Sequence, residues 1–517
     1  MRSMGHERSA KVEVEAKLTV GEGFKMVDLT EVVAGAVATA QPARELGAVY
    51  FDTADLELTR WGITLRHRTG EPGHPWMLKL PRGADQAVLA RDELRFAGTV
   101  ERIPEPAIDL VRAFTRGRPL IEVARLHTTR LPTLIADAHN RALVEVADDT
   151  VSFTTGDADG PGRFREVEIE ATSDNRSSWA ALDATVARLI DAGARSGRPL
   201  PKVVRALGQP ATEPPSVVAS PVSARSSTVD VVRRLAASST IQILVNDPGV
   251  RLGEDPEAVH RYRVATRRLR SDLRTFRSAL DSAPTDEMRA ELRWLGGVVG
   301  PIRDLDVLGA RIAAHARSLP DQDQPGATMV LARLADERRR ARVHLTEALR
   351  TERYDALLEA LVGWASHPPL SPGAKPRERP AAERAGRRVG RRWKQLEAAV
   401  GAGGKDPSDD EFHLIRIAAK RCRYAAEAVA PVAGKPARRF AKRVAKVQGV
   451  LGDHHDTVVA EAWLRDAAIK VPEARVAIKG LIAIEREERA RLRAGWDAAW
   501  HRASRKKARA WFSRHRR

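Results

Sequence analysis

Two stretches of this 517-residue chain repeat one pattern of histidine and basic residues, and the repeat restricts the fold more than any other feature. Val259 to Phe276 (VHRYRVATRRLRSDLRTF), wound at about 100° per residue, gathers His260, Arg263, Arg267, Arg270 and Arg274 into an arc of roughly 80°. Tyr262, Ala265, Leu269, Leu273 and Phe276 fall on the far side, so one helix carries a core stripe and an opposing cationic stripe. Phe412 to Glu427 repeats the scheme: His413, Arg416, Lys420 and Arg423 keep the intervals of three, four and three, and Cys422 stands where Leu269 stood. Downstream, LGGVVGPIRD at Leu295 to Asp304 is echoed by VQGVLGDHHD at Val447 to Asp456. The offset is 153 residues at the histidines and 152 at the aspartates. Self-similarity at a long offset in two copies predicts two halves of one helical domain. A basic stripe on a single helix is ordinarily a solvated face. Two copies with the same spacing, each including His, point instead to a shared ligand.

The charge agrees. The chain carries a formal +19, yet residues 1–210 hold −2 and the remainder +21. A basic surface of that size calls for a polyanion, with affinity that falls as salt rises. Aromatic residues make up only 5% of the chain, and binders of single-stranded nucleic acid rely on stacking platforms. A partner made of phosphates without bases is therefore favoured, and nucleic acid disfavoured. Cys422 is the only cysteine, so no intramolecular disulfide is expected, which fits a reducing compartment. No apolar leader and no run of about 18 apolar residues occurs. The expectation is a cytoplasmic protein without a membrane partner, its oligomeric state open.

On the histidine helices and the two LG echoes, taken as turns, residues 229–510 resemble the CHAD family. The resemblance implies an all-α, duplicated four-helix bundle that binds inorganic polyphosphate. By that resemblance His260, Arg263, Arg267, Arg270, His413, Arg416, Lys420 and Arg423 line the binding surface, and association with polyphosphate granules would follow. Arg274 shares the first stripe, and Arg439 and Lys446 belong to a further basic stripe that could join it. Arg384, Arg387 and Arg391 form another, for which solvation is a sufficient account. Helix breaks are expected at 247–249, 282–284, 300–301, 319–326, 367–380, 401–407 and 431–436. His454, His455 and Asp456 read as a helix start after Gly452-Asp453 rather than a metal set, because the first copy has Ile302, Arg303 and Asp304 there.

The N-terminal part has a period of two. Val12 to Leu18 alternates, placing Glu13, Glu15 and Lys17 on one face. Further strands place Arg66 and Arg68, Lys79, Arg91 with Glu93 and Arg95, and Glu166 with Glu168 and Glu170 on single faces. Leu143 to Phe153 reads as a hairpin turning at Asp148 and Asp149, and Asp183 to Gly193 as a helix that plugs or flanks the sheet. In an open sheet the charged faces would meet water. In a barrel they could face inward only around a charged ligand. Clustered carboxylates suit Mg²⁺ or Mn²⁺, and Arg and Lys on facing strands suit phosphate. A metal-bound triphosphate satisfies both.

The ExExK run (Glu13, Glu15, Lys17), the YFDT…LRHR block, the Lys79 strand, RxE at Arg91, the EIE strand and the closing KVVRAL together resemble the CYTH family of triphosphate tunnel metalloenzymes. The resemblance implies an eight-stranded antiparallel tunnel and a metal-dependent triphosphatase. Carried over, Glu13, Glu15, Asp148, Glu168 and Glu170 hold Mg²⁺ or Mn²⁺, and Glu13, Glu15 and Lys17 serve catalysis. Lys17, Arg66, Arg68, Lys79, Arg91, Lys202 and Arg205 clamp the triphosphate. The family usually continues EIE into Leu-Lys, whereas Glu170 here precedes Ala171-Thr172.

The expected organisation is α+β in two domains: a tunnel over 1–210, a Pro/Ser-rich extended linker over 211–228, a helical bundle over 229–510 and a frayed basic tail over 511–517. The functional expectation is hydrolysis of inorganic or organic triphosphate, or of polyphosphate, beside polyphosphate binding. The alternatives are a non-catalytic polyphosphate scaffold and cyclisation of ATP.

Overall fold

The computed structural model describes residues 6–9, 15–81, 91–156, 160–197, 200–372 and 380–513. They fall into two compact units divided between Ser216 and Val217. The first is built on one antiparallel sheet and the second is wholly helical.

The sheet strands are β1 His6–Ser9, β2 Glu15–Val20, β3 Val37–Ala40, β4 Arg44–Asp52, β5 Thr64–Thr69, β6 Trp76–Pro81, β7 Arg91–Phe96, β8 Ile121–Ala136, β9 Ala142–Thr155, β10 Gly162–Ala171 and β11 Arg195–Ser196. Their order is β1-β7-β6-β5-β4-β8-β9-β10-β2-β11, with β3 beside β8. The expected number was eight, and among the described residues the sheet has eleven strands. The surplus lies in β1 and β3, of four residues each, and β11, of two. β1 holds one flank by pairing with β7, while β2 pairs with β10 near the other. Ser9 and Glu15 are only six positions apart, a reach of at most roughly 20 Å, so chain connectivity draws the two flanks together.

The period of two does the sorting. Leu18, Val20, Val144, Val146, Val167 and Ile169 are buried under helix α3, with Leu182 and Leu189 from that helix. The helices of this unit are α1 Glu57–Arg60, α2 Glu105–Thr115, α3 Arg176–Asp191 and α4 Lys202–Leu207. α3 starts seven residues before the expected Asp183, where Asn175 caps the Ser178 amide. It flanks the sheet, as one of the two expectations had it. Each fully buried aliphatic residue here contributes roughly 1.5–3 kcal/mol, so this layer fixes which side every alternate residue faces. α4 packs Val203 and Val204 with Tyr50, Leu126 and Val151, which carries Lys202 to the sheet's other face.

Two expectations fail in this unit. β9 runs straight through Asp148 and Asp149, with no hairpin there. Each aspartate has its own arginine: Arg165 holds Asp148, and Arg130 holds Asp149. The first third of the linker is folded: Ala211 is buried, Arg60 bonds Glu213 at 2.7 Å, and Ser216 donates to Glu57.

The second unit contains α5 Thr228–Leu252, α6 Pro256–Thr275, α7 Ser282–Ala316, α8 Gln324–Ala348, α9 Glu352–Ser366, α10 Ala381–Ala402, α11 Asp409–Ala433, α12 Lys435–Lys470, α13 Arg475–Ser504 and α14 Lys506–Ser513. α5 packs on α6, α6 on α7, α7 on α8, and α9 returns to α5. α10 to α14 repeat the same sequence of neighbours, with α14 returning to α10. The duplication is thus two sets of five helices among the described residues, not two of four. The expected frayed tail is in part α14, where Phe512 packs on Phe440 at 5.0 Å. Both LG echoes, expected as turns, lie inside the long helices α7 and α12. So do Pro301 and His454 to Asp456, while α5 continues past Pro248. A helix held by tertiary packing tolerates the loss of one backbone bond at proline. Gly434, at φ +72°, separates α11 from α12 alone, a conformation that suits glycine.

Candidate functional site

The charged alternates of the sheet converge on a cavity of about 180 Å³. Its lining includes Glu15 and Lys17 from β2, Arg66 and Arg68 from β5, Lys79 from β6, Glu93 from β7, Arg130 from β8, Glu168 and Glu170 from β10, and Lys202 from α4. Among the described lining residues six cations stand against four carboxylates, with Asp149 and Glu166 also bonded to Lys202.

Glu168 is the hub. Lys17 Nζ and Lys202 Nζ each lie 2.6 Å from its Oε1, and Arg130 donates to its Oε2 at 2.7 Å. Burial alone would raise the Glu168 carboxyl, but Lys202, Lys17 and Arg130 together hold it well below the usual range. Lys202 also reaches Asp149 at 2.9 Å and Glu166 at 3.0 Å, and these carboxylates raise its pKa against the cost of burial. Arg130 grips Asp149 through two bonds of 2.8 and 2.7 Å. On the opposite wall Arg66 donates to Tyr50 Oη at 2.9 Å, Arg68 to Glu71 at 2.5 Å, and Lys79 pairs with Glu93. Burial and the neighbouring Arg66 push the Arg68 guanidinium down to about 10.

Of the residues predicted from sequence, Glu15, Lys17, Arg66, Arg68, Lys79, Glu168, Glu170 and Lys202 come together here. Glu13 lies outside the described residues. Arg91 is the first residue of β7, and its side chain lies outside what the structure describes. Arg205 is not among the lining; it bonds Glu166 at 2.5 Å and covers the Phe164 ring at 4.0 Å. Asp148 must be corrected: its carboxylate pairs with Arg165, which also bonds the Phe24 carbonyl on the α3 side. The inward carboxylate of that pair is Asp149. Sequence reading also missed Arg130, although Leu126, Thr128 and Arg130 alternate along β8 and the first two line the cavity with it.

The donor set fits a hard divalent cation. Glu15 and Glu170 face each other directly across the β2–β10 ladder, where like charges repel unless a cation lies between them. Among the described residues the one cation paired with Glu15 is Lys17, at 3.6 Å. All candidate ligands are carboxylate oxygens, which suit Mg²⁺ or Mn²⁺.

In the helical unit the α6 and α11 stripes meet. Burial together with Arg416, Arg267 and Arg263 pushes the Lys420 amine down to about 7. Arg416 is lowered by burial and by Arg267 and Arg263, opposed by Asp456. His413 lies 3.4 Å from His455, Nδ1 to Nδ1, and His455 is pushed down to about 4 by burial and the adjacent Arg416. His260 is lowered by burial and Arg303. Arg263 pairs with Asp304 at 2.5 Å, Arg267 covers Tyr424 at 5.4 Å, and Arg423 bonds Glu427 at 2.7 Å. Arg270 and Arg274 extend the surface; burial lowers both, with Arg293 adding to it for Arg270, Arg421 for Arg274, and Arg289 of α7 for the two together. Arg439 and Lys446 are exposed on α12 without a hydrogen bond or ion pair to a described residue. Cys422 is buried, as its place opposite the stripe required. His315, Glu485 and Glu488 also cluster, but both carboxylates are already hydrogen-bonded by Arg311. No helix among the described residues is long and apolar enough to cross a membrane.

A CYTH domain model matches residues 11–191 and a CHAD domain model matches residues 234–465. Two uncharacterized proteins of Mycobacterium tuberculosis are 34% identical over 473 residues, covering 89% of this chain and 89% of theirs. Among solved structures, the CHAD domain from the plant Ricinus communis is 26% identical, covering 56% of this chain and 95% of that one, with a TM-score of 0.47. PptA from Streptomyces chartreusis is 24% identical over 53% of this chain and all of its own, with a TM-score of 0.44.

Proposed function

Because this chain belongs to the proteins that join a CYTH domain to a CHAD domain, we propose that its tunnel hydrolyses a linear triphosphate and its bundle holds inorganic polyphosphate. The observation that carries the first part is the Glu168 hub, with Arg66, Arg68 and Lys79 on the wall across from it. Such a cavity binds phosphate oxygens with its cations and needs only positioning and charge stabilisation for phosphoryl transfer. Arg130 and Arg66 orient phosphate oxygens. Lys17 and Lys202 exchange their hold on Glu168 for the entering anion, which frees its carboxylate. Glu15, Glu168 and Glu170 would hold Mg²⁺ or Mn²⁺, which supplies Lewis-acid polarisation and a more acidic water when bound.

The bundle reading rests on the convergence of Arg263, Arg267, Arg416 and Lys420 from two helices. Cations this close repel, and a chain of phosphates relieves the repulsion. Phosphate release from tripolyphosphate with Mg²⁺ or Mn²⁺ tests the tunnel: activity should vanish with chelator and in Glu15→Ala. Competition of labelled polyphosphate against DNA tests the bundle, and equal affinity for the two would count against it.

A further inference from the structure

A second cationic cavity lies in the bundle, lined by residues other than those of the α6–α11 stripes. It encloses about 570 Å³ between α10, α14 and the residue Ser278. Arg384, Arg387, Arg388, Arg391 and Lys394 come from α10, and Arg509 comes from α14. Among the described residues the only carboxylate in the lining is Glu397, already bonded to Arg509 at 2.7 Å. Arg387, Arg391 and Lys394 are exposed and have no hydrogen bond or ion pair with a described residue. Arg388 is 5% exposed, with its guanidinium 4.7 Å from the Phe276 ring centre. A solvated stripe spreads its cations over a convex face. Here they converge on a hollow, and two helices contribute.

The volume is in the range of small-molecule pockets, about 300–1,000 Å³. The rings that border it offer no stacking face: Trp393 is 2% exposed and lies against Trp500, and Phe512 is 7% exposed. A nucleobase would gain little, while arginines bind phosphate oxygens in pairs.

We propose that this α10–α14 cavity is a separate binding site for a compact anion bearing several phosphate groups, linear or ring-borne. Its residues are distinct from those of the polyphosphate surface on α6 and α11, so the two readings can fail separately. The test is calorimetric titration of the full-length chain with myo-inositol hexakisphosphate and with tripolyphosphate, as wild type, Arg387→Glu/Arg391→Glu and Arg267→Glu/Lys420→Glu. Far-UV circular dichroism checks that each variant is folded; Arg387→Gln/Arg391→Gln serves if the reversal is not tolerated. The expected result is at least a tenfold loss for one or both probes in the α10 variant, with the α6–α11 variant unaffected at that site. A loss confined to one probe tells whether the ligand is linear or ring-borne. Superimposable titrations of wild type and the α10 variants overturn the proposal. So does a loss of the compact probes that occurs only in the α6–α11 variant.

Discussion

Asp148 and Asp149 are adjacent, alike in chemistry and opposite in consequence. One faces the α3 layer with Arg165, the other faces the cavity with Arg130 and Lys202. Sequence could name the pair but not choose between them, because the choice depends on the strand's register against β8 and β10. Asp149→Asn should lower kcat/KM for tripolyphosphate by roughly 10²-fold, the usual loss of a positioned charge. Asp148→Asn should lower Tm and leave activity per folded molecule nearly intact. Lys420 gives a pH signature. Its amine drops from an ordinary 10.5 to about 7, with Arg416, Arg267 and Arg263 facing it and Asp456 opposing them. Between those values the unfolded chain binds the extra proton, so this group makes stability rise with pH across that window. A bound polyanion restores the proton. Affinity for polyphosphate should therefore fall from about pH 7 upward, by at most about tenfold per unit, and the slope should flatten in Lys420→Arg. Asp272 has the opposite sign. It is 3% exposed, neither oxygen has a hydrogen bond, and burial raises its carboxyl well above the ordinary value despite Arg268. The folded state then holds a proton the unfolded chain releases, and stability is lost as pH rises above 3.8. Asp272→Leu should raise stability at neutral pH by about 1–3 kcal/mol, with the gain shrinking toward acid; thermal melts across pH check it.

Elements were legible where periodicity was strong. The stripes of α6 and α11 fall where the spacing placed them, as do the strands β2, β5, β6, β7 and β10. The failures share a cause: proline, glycine and charge runs were read as local breaks where tertiary contacts override them. α7 and α12 absorb the LG echoes because Leu295, Val299 and Ile302, and then Val447, Leu451 and His454, are buried in one helical phase. α14 hid in a run of Arg and Lys, yet Ala508, Trp511 and Phe512 recur at helical spacing, with Ala508 and Phe512 buried. Phe512→Ala should cost about 3–5 kcal/mol if the site collapses little, and a drop in Tm without loss of tripolyphosphate hydrolysis would locate the effect in the bundle.

At the scale of the molecule, two unlike scaffolds each gather cations at a site of their own. In the sheet unit the period of two divides apolar from charged faces, and in the helical unit the period of 3.6 does so twice. Charge asymmetry made that division visible in the sequence, since the whole of the basic excess lies beyond residue 210. The pairing that closes a cavity was visible only in the fold, because Arg130 and Lys202 reach Glu168 from elements remote in sequence. If the bundle concentrates its ligand for the tunnel, Arg267→Glu/Lys420→Glu in the full chain should slow hydrolysis of long-chain polyphosphate and spare tripolyphosphate. The tunnel itself is tested most directly by a product panel with metal: tripolyphosphate, ATP, thiamine triphosphate and long-chain polyphosphate. Tyr50 is the only ring among the described residues lining the cavity, and it is bonded to Arg66, so no adenine platform is evident there. The account predicts phosphate release from tripolyphosphate, abolished in Glu168→Gln, and no cyclic AMP from ATP. Cyclic AMP formation without phosphate release from tripolyphosphate would contradict it.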